Sequence, residues 1–435
     1  MLRSIRRSTH PLFSRAFSRA RWKLRLAFWG GAVAVGIIST LFALLSDHAS
    51  ELFDHLLAIS PYLPLLITPV GLLLIAWLTQ TFFRGAEGSG IPQAIAALRA
   101  QDNHAIKREM LSIRIGLGKI VLTLLGLAAG ASIGREGPTV HVGAAVMYSL
   151  GRLGNFPTHY IKRGLILAGG AAGIAAAFNT PLAGIVFTVE EMSRAFDRRT
   201  SSIVVTAVII AGLVALVVLG DYDYFGTTDA TLTLGEAWLA VPICGLVGGL
   251  GGGVFSSTLL WGNRLLSPLT THYPLWVAGF CGLTVAIIGL LSDNLIYGTG
   301  YLEAKQILTG SGETSLAFPI LKMLASLASY LSGIPGGIFA PALATGAGFG
   351  ADLAYLLPHI PAKAIIILGM VAYFSGVVQA PVTTFVIVIE MVDNQNMIIP
   401  LMATAFIAAG TSRLICHKAI YEAMAENYLG TRNQK

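Results

Sequence analysis

An all-α integral membrane protein, an inverted-repeat bundle of many tilted and broken transmembrane helices, is predicted by three observations. The first is composition: of 435 residues 54% are hydrophobic and 12% charged, and the mean hydropathy is +0.71. The second is a series of apolar runs from Phe28 to Ile415 that leaves no room for a water-soluble domain. The third is an internal repeat. LAGGAAGIAAAFNTPLAGIVFTVEEM (167–192) resembles LGMVAYFSGVVQAPVTTFVIVIEM (368–391), with Pro181 facing Pro381 and Glu190 facing Glu390.

The runs predict spans near 28–46, 62–79, 111–131, 139–151, 163–178, 181–195, 202–220, 237–258, 274–292, 318–333, 339–356, 363–378, 380–392 and 398–415. Several are shorter than the ~20 residues that cross a bilayer, which implies interrupted and tilted helices. The 49 glycines suit both close helix packing and such interruptions. Five regions follow: a basic arm (1–27), a first transmembrane repeat (28–220), a polar linker (221–236), a second repeat (237–415) and a short tail (416–435).

The net charge of +7 is concentrated at the start, where Arg3, Arg6, Arg7, Arg15, Arg19, Arg21, Lys23 and Arg25 stand without an acid. With a spanning-length apolar run behind it and no small-residue cleavage site, this arm reads as a cytoplasmic topology signal, not a targeting peptide or a nucleic-acid contact. Arg194, Arg198 and Arg199 after Glu191, and Lys107, Arg108, Arg152, Lys162 and Arg163 in earlier connections, mark cytoplasmic loops. Both termini are then cytoplasmic and the protein multi-pass in the cell membrane. Cys244, Cys281 and Cys416 have no metal-ligand spacing and read as structural thiols.

The repeat extends upstream. Lys119 to Pro138 matches Lys322 to Pro341, and Gly88-Ser89-Gly90 matches Gly298-Thr299-Gly300. Transporter repeats place the substrate between the halves, where half-helix N-termini point inward. For equivalent helices to aim at one ion, the halves must run in opposite senses.

The chemistry centres on Gly134-Arg135-Glu136-Gly137-Pro138, set in apolar sequence. A carboxylate at bilayer depth costs roughly 2.5–3.5 kcal/mol or more, so Glu136 is a candidate functional acid. Pro138 suits the first turn of a helix, and the glycines let the preceding backbone bend. Gly88-Ser89-Gly90-Ile91-Pro92 and Gly337-Ile338-Phe339-Ala340-Pro341 have the same design. Each exposes unpaired N–H groups and the positive end of a helix dipole, and an anion satisfies both. Ser89 adds a hydroxyl donor.

The ordered trio GSGIP, GREGP and GGIFAP resembles the signature of the CLC family of chloride channels and chloride/proton antiporters, over essentially the whole transmembrane chain. The resemblance implies that Ser89 coordinates a central anion with the amides of Ile338 and Phe339. Gly90, Ile91, Arg135, Gly137, Gly337 and Tyr421 complete the expected anion-binding set, Tyr421 being chosen over Tyr428 as the central tyrosine. It implies that Glu136 is the external gate, leaving the anion site when protonated, and that Glu191 passes protons at the internal side. Channel members generally lack the second acid, so Glu191 favours an antiporter. A passive chloride channel, or an exchanger for fluoride or nitrate, is the alternative. A homodimer with one pathway per subunit is implied, with chloride and protons as transported partners and no cofactor or metal. Gln93 and Ile95 depart from the glutamates of some bacterial members. Because only residues 416–435 follow the last span, the cytoplasmic CBS domains of many eukaryotic members are expected to be absent.

Each residue also has a structural reading. Glu136 could pair with Arg135 or Lys119, Ser89 could cap a helix, and Tyr421 could belong to an interfacial aromatic belt. Glu190 reads as the structural member of its pair. Lys119, Lys322 and Glu390 are expected in buried or interfacial pairs, and His141 as a packed polar residue. An intramembrane hydrolase using Ser89 and His141 is the competing class, with no orienting acid in view.

Overall fold

The computed structural model describes residues 19–100, 103–153, 159–194, 198–220, 224–232, 235–312 and 315–433. Most of the basic arm (1–18) and parts of the linker (221–223, 233–234) lie outside them. The first half contains α1 (Arg19–Ile59), α2 (Pro64–Phe82), α3 (Ile91–Arg99), α4 (His104–Met110), α5 (Ile113–Ala128), α6 (Glu136–Leu153), α7 (His159–Phe178), α8 (Pro181–Phe187) and α9 (Arg198–Leu219). The second contains α10 (Ala240–His272), α11 (Pro274–Leu291), α12 (Tyr301–Thr309), α13 (Phe318–Leu331), α14 (Phe339–Leu356), α15 (Ala362–Val378), α16 (Pro381–Val392), α17 (Ile398–Ile415) and α18 (Ile420–Asn433). Among the described residues, seven helices are long and apolar enough to cross a membrane and four more are apolar but shorter. Large apolar side chains such as Val217 (83% exposed) and Leu414 (79% exposed) face outward, which suits lipid and not water. The protein is an all-α membrane protein.

Two expected boundaries are corrected. The first span does not stop near 46: α1 runs 41 residues to Ile59, through Asp47, Glu51 and Asp54. The span near 237–258 continues as α10 for 33 residues to His272. Hydropathy falls where a helix leaves hydrocarbon, but the backbone keeps its internal hydrogen bonds and the helix continues. Conversely α3, α4, α12 and α18 are too short or too polar to register as spans.

Glycine contacts bring the central helices together, and both halves use the same device. A Cβ on Gly143 of α6 would lie 2.2 Å from the Gly169 carbonyl of α7, and one on Gly169 2.2 Å from the Gly143 carbonyl. In the second half Gly346 of α14 and Gly369 of α15 stand in the same relation, at 2.7 and 2.6 Å. No side chain fits, so backbone packs on backbone.

Buried lysines also repeat, and neither pairs with a carboxylate as expected. Lys119 Nζ donates to the carbonyls of Ala86 (2.9 Å), Glu87 (3.1 Å) and Gly88 (2.9 Å). Lys322 Nζ donates to those of Ile296 (2.8 Å), Tyr297 (3.2 Å) and Gly298 (3.1 Å). Three carbonyl dipoles converging on one ammonium offset its loss of water and pin the turn that precedes α3 or α12.

Glu190 and Glu390 join the halves. The Glu190 carboxylate accepts from the amides of Val382 (3.1 Å) and Thr383 (2.6 Å) at the start of α16. Glu390 accepts from the amides of Leu182 (2.9 Å) and Ala183 (2.6 Å) at the start of α8. Each acid caps the equivalent helix of the other half, where the dipole favours negative charge. Glu390 is therefore a helix cap and not a member of an ion pair.

Replacing Gly169 by Leu is expected to cost about 1–3 kcal/mol or more, because the contact is backbone on both sides. Gly30, with nothing within 4 Å of its Cβ position, should tolerate Ala with a neutral or slightly stabilising effect. Thermal midpoints and monodispersity of the two variants in detergent check the contrast.

Candidate functional site

Three helix starts meet at one point, and the backbone itself ties them. Gly134 N–H donates to Gly337 O (2.7 Å) and Gly337 N–H to Gly134 O (2.6 Å), joining the approaches to α6 and α14. Gly88 N–H donates to Ile334 O (3.2 Å) and Gly336 N–H to Gly88 O (3.3 Å), adding the approach to α3. Side chains would break this junction: a Cβ on Gly337 would come within 3.0 Å of Gly137 N, and one on Gly137 within 2.1 Å of Ser89 Oγ.

Ser89 lies between two left-handed glycines, Gly88 (φ +64°) and Gly90 (φ +96°). These conformations, which glycine reaches without strain, turn the chain so that α3 starts at Ile91 beside α6. Gly90 is the N-cap of α3, with no side-chain cap, so Ser89 does not serve as one. Its hydroxyl is buried and has no hydrogen-bond partner. Ile91, Ile338 and Phe339 are buried around the same junction.

Glu136 is the first residue of α6 and is wholly buried. Neither carboxylate oxygen has a hydrogen-bond partner, although the amides of Glu136 itself and of Ala340 at the start of α14 face it. It pairs with neither Arg135 nor Lys119. The Arg135 guanidinium donates to Ala43 O (2.6 Å) and Asp47 Oδ1 (2.5 Å) on α1. Its side chain thus engages α1, and its charge adds positive potential beside Glu136.

Tyr421 comes from α18 and is wholly buried, its hydroxyl facing that of Ser89. Its ring centroid is 5.9 Å from that of Phe339, and it lies beside Ser89 within electrostatic reach of both Glu136 and Glu191. Tyr428 instead receives a hydrogen bond from Gln93 Nε2 (3.0 Å). Glu191 sits in a π-helical turn, Thr188–Ser193, that continues α8. Such turns are rare and concentrate at functional sites. Here the turn separates two adjacent acids: Glu190 is committed to the amides of α16, while Glu191 is buried with Oε1 unpartnered.

The hydrolase arrangement is absent among these residues. His141 bonds Met110 O at 2.8 Å through Nε2, and neither its Nδ1 nor Ser89 Oγ has a hydrogen-bond partner, so no serine–histidine pair forms. One constellation escaped the sequence reading. Glu422, next to Tyr421, accepts from Arg99 (3.0 Å) and from Arg194 (2.5 Å). The available signal was an acid adjoining the central tyrosine in HKAIYEAM, with unpaired arginines ending α3 and following Glu191. Burial raises the Glu422 pKa, but hydrogen bonds and charge from both arginines outweigh it and hold the group below the usual carboxylate value.

A family model described as voltage gated chloride channel matches residues 70–413. The H(+)/Cl(-) exchange transporter ClcA of Vibrio vulnificus (strain YJ016) is 31% identical over 416 residues, covering 89% of this chain and 86% of that one. The protein of the same name from Yersinia pestis bv. Antiqua (strain Angola) is 29% identical over 435 residues, covering 93% and 88%. Among solved structures, a slow cyanobacterial Cl-/H+ antiporter matches with a TM-score of 0.80 at 26% identity, over 94% of this chain and 99% of that one. A CLC-type fluoride/proton antiporter shares the fold, with a TM-score of 0.78 at 22% identity. The three joined helix starts lie inside the matched region, and the chain belongs to the voltage gated chloride channel (CLC) family.

Proposed function

We propose that the chain exchanges chloride for protons across the cell membrane, the anion resting where α3, α6 and α14 begin. The observation that carries this reading is the buried Glu136 carboxylate, set against helix-start amides with no hydrogen-bond partner of its own. An ionised Glu136 and a chloride ion compete for the same partial positive charges, about +0.5 per helix end. A protonated Glu136 has no charge for those ends to hold, so it withdraws and the anion enters. Proton uptake and anion occupancy become linked steps.

Ser89 and Tyr421 place two hydroxyls at the inner side of this point, as donors to a passing anion. The amides of Ile338 and Phe339 complete the set. No lysine or arginine needs to touch the ion, which keeps binding weak enough for release. Glu191 gives the proton a separate station and is the feature favouring exchange over a passive channel. The relatives named as H(+)/Cl(-) exchangers support the same choice of ions.

The chain is then a transporter and not an enzyme, with both termini cytoplasmic, a reading supported by the arginines and lysines of the connecting loops. A homodimer with one pathway per subunit, and no cofactor, are carried over from the family resemblance.

Vesicles containing the purified protein and given a chloride gradient should drive protons against their own gradient; chloride flux without proton movement would mean a channel. Glu136→Ala should leave chloride flux and abolish proton pumping, since the competing carboxylate is gone. Glu191→Ala should also spare chloride flux and stop protons, because the internal station is lost. Ser89→Ala should weaken chloride binding by roughly tenfold, the effect of losing one hydrogen bond to a charged group, as read by isothermal titration. A hydrolase would instead lose all activity.

A further inference from the structure

The Glu422 carboxylate bridges three elements that serve different parts of the site. Arg99 is the last residue of α3, and Ser89 lies two residues before the first, Ile91, so the short helix runs from the hydroxyl's turn to the ion pair. Arg194 directly follows the π-helical turn that holds Glu191, and its backbone is left-handed (φ +52°), an uncommon state for a residue with a long side chain. Glu422 itself follows Tyr421 in α18. One carboxylate, its two oxygens taken by different arginines, therefore links the anion helix, the proton-station turn and the tyrosine helix.

Surface ion pairs usually contribute little to stability. This cluster is only partly exposed, with side-chain exposures of 33% for Arg99, 41% for Arg194 and 23% for Glu422. A second tie, Gln93 to Tyr428, already fastens α18 to α3. The turn bearing Glu191 also packs directly on α3; what Glu422 adds is a charged tie from α18 to that turn through Arg194.

We propose that Glu422 is a positioning residue for coupling: by holding Arg99 and Arg194 together it makes Tyr421 and Glu191 move as one unit. Loss of the bridge lets α18 shift without the Glu191 turn. Chloride then passes the tyrosine on cycles in which no proton is handed over. This inference rests on the exchange reading above, and wild-type protein in the same assay keeps the two separable.

The test is the proton-to-chloride ratio in reconstituted vesicles for wild type, Glu422→Gln, Arg194→Gln and the double variant. Glu422→Gln keeps the shape of the side chain and removes its charge. The expected result is a ratio lowered by roughly two-fold or more, while chloride turnover falls less, with the double variant no worse than the more affected single one, as for residues acting through one contact. Arg194→Gln gives the same readout should Glu422→Gln fail to fold. An unchanged ratio, or proton and chloride fluxes falling in equal proportion, would overturn the proposal and leave the cluster a structural one. A wild-type protein that moves no protons would instead overturn the exchange reading.

Discussion

The paired hydrogen bonds between Gly134 and Gly337 are the constraint on which the rest of the structure depends. They bring the starts of two helices from opposite halves to one point, and the approach to α3 joins them through Gly88. Every helix start leaves amides without internal partners, and inside a bilayer such groups cost several kcal/mol each unless something accepts from them. Crowding three starts together makes that cost collective and defines a place where negative charge is stable. The glycine contacts of α6 with α7 and of α14 with α15, and Lys119 pinning the turn before α3, support this arrangement.

Two groups of polar side chains in the chain contrast. Lys119, Lys322, Glu190, Glu390 and Arg135 are engaged with backbone groups or, for Arg135, also with Asp47. Glu136, Ser89 and Tyr421 are wholly buried, the Glu136 carboxylate has no side-chain partner, the Ser89 and Tyr421 hydroxyls face each other, and Glu191 keeps one oxygen unpartnered. Native proteins rarely leave such groups unsatisfied without a reason. In the second set Tyr421 lies beside Ser89 and in electrostatic reach of both acids. A pathway for charge accounts for the pattern better than packing does.

Glycine and proline made the helix starts legible from sequence, because both restrict backbone conformation in known ways: Pro92 and Pro341 fall in first turns, and Gly88 and Gly90 in the left-handed region. Glu136 was legible because an acid in an apolar run is costly. Other features were not. The lysines were expected to face carboxylates because sequence shows charged partners but not carbonyls brought together by a turn. The role of Glu390 was hidden for a similar reason, since its partners are backbone amides far away in sequence. Arg135 adjoins Glu136 in the chain, but its side chain leaves in the direction of Asp47. The Glu422 cluster joins residues from three separate segments, and no local pattern announces it.

The exchange of caps between Glu190 and Glu390 bears on how the chain is made. The amide of Leu182 finds its acceptor 208 residues later in the sequence. At ordinary elongation rates of about 5–20 residues per second, this corresponds to roughly 10–40 s of translation. Throughout that interval the nascent first half must rest in the bilayer, or beside the insertion machinery, with the start of α8 lacking its native acceptor. Each half supplies the acid that caps a helix of the other, so neither cap can form until the second half has been made.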